Sequence, residues 1–127
     1  MIETIRLSDP VLLIRVPRTF RPGMSDVELY QATRGVWRIG KRRDHIKYVF
    51  AVYQGVVQEV YEILRWQPAH TTPYRTRQLD AKATRDRWEF VGRCADDKVR
   101  SKYVGKSVAD YFAKGAQNPI TYVNVPK

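Results

Sequence analysis

The stretch Thr33 to Lys47, TRGVWRIGKRRDHIK, carries the densest chemistry of this chain. It sets six basic residues (Arg34, Arg38, Lys41, Arg42, Arg43 and Lys47) around one tryptophan, Trp37, with a single acid, Asp44. Cations beside an accessible aromatic can neutralise backbone phosphates and stack a base. The competing reading makes Trp37 a core residue and its neighbours the solvated face of a strand, because tryptophan is usually largely buried. Six cations against one acid is lopsided for a generic surface, so the cluster points to phosphate contact.

Other residues extend the candidate site. Trp66 and Trp88 flank a long polar segment, where they either stack an unpaired base or plug the ends of a barrel. Arg75 and Arg77 of that segment add cations. Glu59 falls at period two with Val57, Tyr61 and Ile63. A carboxylate on an apolar face must be paired or functional. Glu59 either reads a base edge or pairs with an arginine. Gly105-Lys106-Ser107 resembles the end of a phosphate loop, but Arg100 stands where that pattern needs a glycine, which excludes a nucleotide-hydrolase P-loop. Lys106 and Ser107 then either hold a phosphate at a helix start or form an ordinary serine cap.

No catalytic constellation stands out. His45 has only Asp44 beside it, and neighbours in a strand point to opposite faces. His70 lies in the long segment. A small metal-independent nuclease using one of these histidines is the enzymatic alternative, and the reading favours no enzyme. Cys94 is the sole cysteine and there are two histidines. That excludes an intrachain disulfide and the usual zinc sets, and no cofactor is expected.

The whole chain agrees with its basic cluster. Its 23 Lys+Arg exceed 13 Asp+Glu, for a net charge of +10 over 127 residues. Anionic partners are therefore expected: DNA or RNA first, an acidic protein such as a separately encoded nuclease as the alternative. The basic residues fall in strand-like and loop-like segments, which disfavours a membrane-surface helix. The start lacks a signal-peptide pattern and no apolar run is long enough to span a bilayer, so the expected location is cytoplasmic.

The length fits one domain over residues 1–127, with a core of its own. Val11 to Val16 predicts a buried strand. Ser25 and Glu28 predict a capping box and a helix ending by Gly35. Val36 to Ile39 predicts a short strand. Lys47 to Tyr53 and Val56 to Arg65 predict a hairpin turning at Gln54-Gly55. Trp66 to Asp86 predicts a surface excursion. Arg87 to Ala95 predicts a strand, Asp96 to Tyr103 a capped helical turn, Ser107 to Ala113 a short helix, and Ile120 to Val125 a closing strand. The sum is an α+β chain: a small, mostly antiparallel β-barrel with short helices at its rim.

Four runs taken together, LYQATRGVWRIGKRR, YVFAVYQGVVQEVYEILRWQPA, RWEFVGRCADDKVRSKYVGKSV and GAQNPITYV, resemble a module found in bacterial proteins behind LEM-3-like GIY-YIG nuclease domains. That module is similar to the PUA-like barrels, the EVE, YTH, ASCH and SRA-type domains. The resemblance spans Val11 to Val125. It implies a nucleic-acid-binding barrel, in some relatives a reader of modified or flipped bases in an aromatic cavity. Trp37, Trp66 and Trp88 suit such a cavity. The nuclease half is missing, so cleavage is not implied, and the G-x-K-x-x-E-x-R pattern of ASCH domains is absent.

Overall fold

A computed structural model describes residues 2–16, 24–71, 74, 85–112 and 118–126. Within them, six strands form one mixed sheet: β1 (Val11–Arg15), β2 (Gly35–Trp37), β3 (Tyr48–Tyr53), β4 (Val56–Pro68), β5 (Trp88–Cys94) and β6 (Ile120–Val123). Their order is β2-β5-β4-β3-β1-β6. β1 and β3 run parallel, and every other neighbouring pair is antiparallel. Two helices, α1 (Asp26–Arg34) and α2 (Asp97–Tyr103), complete an α+β architecture with a curled, half-barrel sheet. The parallel β1–β3 pair departs from simple hairpin order. The chain passes through α1 and β2 before returning beside β1.

Strict alternation explains the two apolar strands at the sheet's centre. Val11 and Leu13 of β1 join Tyr48, Phe50 and Val52 of β3 in one core, with Tyr103 of α2. Leu12 and Ile14 join Val49 and Ala51 in the other, with Leu29 of α1. Both faces are covered, so β1 and β3 read as unbroken apolar runs. Trp37 from one sheet edge and Ile120 from the other both belong to the second core, so the sheet curls toward it.

The hairpin forms where expected. Gln54 and Gly55 both have positive φ, 50° and 79°, the pairing of a type I′ turn that matches the twist of the strands. β4 then continues to Pro68, so Trp66 lies in a strand and not in the excursion. A register shift between Ala51 and Val52 breaks the alternation of β4. Val57 and Val60 both face the first core, while Tyr61 and Ile63 face the second. The expected same-side set of Val57, Tyr61 and Ile63 is corrected by this bulge.

The capping box of α1 is present: Glu28 N donates to Ser25 Oγ at 3.1 Å, and Ser25 N donates to Glu28 Oε1 at 3.4 Å. Asp26 and Glu28 in the first turn and Arg34 in the last complement the helix dipole. Tyr30 extends from α1 and accepts from Gly92 N at 3.0 Å, tying the helix to β5. A side chain at Gly92 would come within 2.5 Å of the Glu62 carbonyl oxygen, so the close approach of β4 requires a glycine. Asp96 caps α2 by accepting from Val99 N at 2.9 Å. The helix expected over Ser107 to Ala113 is a three-residue 3-10 turn, Ala109–Tyr111, and Ala113 lies outside the described residues.

Two buried tyrosines give the fold a pH signature. Burial, reinforced by a 2.7 Å hydrogen bond to Asp9 Oδ2, pushes the Tyr103 phenol well above the usual tyrosine range. Burial does the same to Tyr61, aided by Cys94 and Glu59. The folded chain therefore holds both protons more tightly than the unfolded chain. Their stabilisation is complete below the unfolded tyrosine value of about 10 and is lost as pH rises beyond it. Tyr103→Phe and Tyr61→Phe are each expected to flatten the fall in stability between about pH 9 and 11, read by urea unfolding across that range.

Candidate nucleic-acid interface

Ile39 and Ile46 are both buried in the second core. They pin the ends of the segment between them, and Lys41–His45 forms a 3-10 turn with no buried residue. The basic run is thus a turn held outside the sheet rather than a strand face. That corrects the argument that Asp44 and His45 point to opposite sides of a strand. Both are exposed on the turn.

The turn spans the seam between the two sheet edges. Arg42 donates from Nη2 to the Val125 carbonyl at 2.9 Å and lies 4.0 Å over the Tyr122 ring of β6. Arg43 lies 3.7 Å over the Trp88 ring of β5. Cation–π contacts of this kind contribute roughly 0.5–2 kcal/mol each. Side chains, not backbone pairing, bridge these edges. Arg42 and Arg43 are both half-buried, and Arg43 occupies one face of Trp88.

Beside that bridge lies a cavity of about 300 Å³. Trp37 and Arg38 line it from the β2 side, Arg87 from the start of β5, and Asn118, Pro119 and Ile120 from the start of β6. Trp37 is anchored by its indole nitrogen, which donates to the Thr33 carbonyl at 2.7 Å. Arg87 donates to the Val36 carbonyl at 3.4 Å. Arg38 and Lys41 are exposed, and neither has an ion pair among the described residues. The described lining contains two guanidinium groups and no carboxylate.

The remaining expected residues lie elsewhere. Arg34 is buried, with Nη1 at 2.9 Å from Glu89 Oε2 and its guanidinium 3.8 Å over the Tyr74 ring. Glu89 is fully buried and also accepts from Gln67 Nε2 at 2.7 Å and from His70 N at 2.6 Å. A buried carboxylate demands such a cation, which takes Arg34 away from the surface and from phosphate contact. Glu59 pairs with Arg100 in a two-pronged arrangement at 2.7 and 3.1 Å, so it is not presented to a base edge. Trp66 packs edge-on against Phe90 at 5.5 Å, as core. Lys106 pairs with Glu3, and Ser107 N donates to the Glu3 carbonyl, which corrects the phosphate-holding role: the 3-10 turn that follows is too short to offer a helix terminus. Arg75 and Arg77 lie outside the described residues.

Sequence reasoning missed Arg87, Asn118 and Glu89. Arg87 abuts Trp88 in a basic-aromatic dipeptide, a signal that was available. Asn118-Pro119 is a turn signature immediately before a strand. Nothing in WEFVGR distinguishes Glu89 from a solvent-facing acid.

Among the described residues, no group of three His, Cys, Asp or Glu side chains could hold a metal ion. No helix there is long and apolar enough to cross a membrane. No family model, curated protein or solved structure matches the chain.

Proposed function

We propose that this chain is a nucleic-acid-binding domain of the PUA-like barrel type. It takes one unpaired or flipped base, plain or modified, into the seam cavity. The observation that carries this reading is the cavity's lining: an anchored indole beside two guanidiniums, with no carboxylate among the described lining residues. An aromatic face serves any base, and guanidiniums serve phosphates or the acceptor edge of a base. Arg38 on the cavity's lining, with Lys41 and Arg43 on the adjoining turn, supplies the entry field. The barrel type is supported by the sequence resemblance and by the curled, mostly antiparallel sheet. DNA and RNA are both admissible ligands.

The test is fluorescence-anisotropy titration against single- and double-stranded DNA and RNA, with and without modified bases, at low and at near-physiological salt. Salt-dependent binding with a base preference is expected. Trp37→Ala should weaken it by about 1–3 kcal/mol and remove the base preference. Trp37→Phe, which keeps an aromatic face against the core, should retain most of both. Absence of binding to every nucleic acid at low salt would overturn the proposal.

A further inference from the structure

We infer that the seam cavity selects guanine, reading its O6 and N7 edge; this inference rests on the nucleic-acid reading above. Among the described residues, five oxygen acceptors at or beside the cavity already have a partner. The Val36 carbonyl accepts from Arg87, and the Thr33 carbonyl accepts from the Trp37 indole. The Asn118 carbonyl accepts from Arg15 Nη2 at 2.8 Å. The Pro119 carbonyl accepts from Arg15 N at 2.8 Å. The Asn118 side-chain oxygen accepts from Ile120 N at 3.1 Å, which leaves its amide nitrogen as the uncommitted end.

The donors remain. Arg38 has no hydrogen bond or ion pair among the described residues, and Arg87 uses only Nη1, in a long bond. A ligand entering here meets an indole face and a surplus of N–H groups. It must therefore be flat and present acceptors. Guanine offers two adjacent acceptors on one edge, the pattern a guanidinium fork matches in both bonds. Adenine sets its exocyclic amine between its acceptors, where it would face a guanidinium and stay unpaired, and cytosine carries its adjacent acceptors, O2 and N3, on the edge beside the sugar, which the oligonucleotide backbone crowds. Thymine and uracil offer a single carbonyl there. A volume of about 300 Å³ is at the small end of ligand sites and suits one base rather than a base pair.

The experiment uses single-stranded oligonucleotides, in ribose and deoxyribose series, identical except for one central residue. That residue is guanine, adenine, cytosine, uracil or thymine, inosine, or 7-deazaguanine. Guanine and inosine, which share O6 and N7, should bind alike and at least about tenfold tighter than adenine or cytosine. The 7-deaza base, lacking N7, should fall toward adenine. Arg38→Lys or Arg87→Lys keeps the charge and loses the fork, so one of them should erase the preference while the salt dependence persists.

Equal binding to all bases, tight binding of 7-deazaguanine, or a preference for a modified pyrimidine would each overturn the guanine assignment and leave nucleic-acid binding standing. Failure of every oligonucleotide to bind would instead remove the underlying reading, and this inference with it.

Discussion

Arg34→Ala should destabilise the folded chain by about 3–5 kcal/mol, the largest effect expected of any single substitution considered for this protein. The magnitude follows from what is left behind rather than from the pair itself. Glu89 is 0% exposed, and Arg34 provides its cationic partner at 2.9 Å. Truncation takes that cation from a buried carboxylate that also accepts from Gln67 and from the His70 backbone. The pair should be far less important than either half. Arg34→Met combined with Glu89→Leu fills similar volume without charge and should recover most of the loss. Urea unfolding of the two single variants and the double variant checks this as a cycle. A loss below about 1 kcal/mol for Arg34→Ala would show a solvated, surface-like pair. The local backbone raises the stakes. Arg34 is followed by Gly35, where an added Cβ would collide with the Tyr74 hydroxyl, and then by Trp37, whose indole is fixed to Thr33. The buried pair therefore also positions the cavity's stacking face.

Charge reversal at Arg38, which lines the cavity, and at Lys41, which begins the adjoining 3-10 turn, should produce the largest change in binding. Arg38→Glu with Lys41→Glu alters two exposed cations without ion-pair partners among the described residues, so folding should be nearly unchanged. If each contacts one phosphate, the slope of log affinity against log salt should shrink by about 1.4 for a single strand. Affinity at low salt should fall roughly tenfold or more, because repulsion replaces attraction. Arg42 and Arg43 make poorer probes. Arg42 bonds Val125 and covers Tyr122, and Arg43 covers Trp88, so their removal loosens the seam as well as the field. Anisotropy titrations at several salt concentrations, paired with thermal unfolding, separate the two effects. An unchanged slope would place the phosphates elsewhere.

Local signals in the sequence were legible wherever short-range physics decides the structure. Ser25 with Glu28, Asp96 before α2, and Gln54-Gly55 between alternating apolar runs each act within a few residues. The pairing of Glu59 with an arginine was one of two readings of a carboxylate among apolar neighbours. The seam was not legible, because it joins residues 37 and 38 to 87 and to 118–120. No local pattern announces that the sheet curls far enough to bring them together. Arg34 was read as a surface cation because it sits among five others, yet its fate is set by Glu89, fifty-five residues away. The 3-10 turn was hidden for a related reason: Ile39 and Ile46 look like strand residues until their common core is known.

The placement of β1 has a consequence for how the chain is made. Its neighbour on one side is β3, but on the other it is β6, with Val11 opposite Val123. During synthesis the earliest strand must wait with one edge unpaired until nearly all the described residues have left the ribosome. An apolar edge held open that long invites pairing with another nascent chain, and distant pairings of this kind form slowly. Yield of native protein should therefore respond to translation speed and to chaperone supply more sharply than its finished stability would suggest.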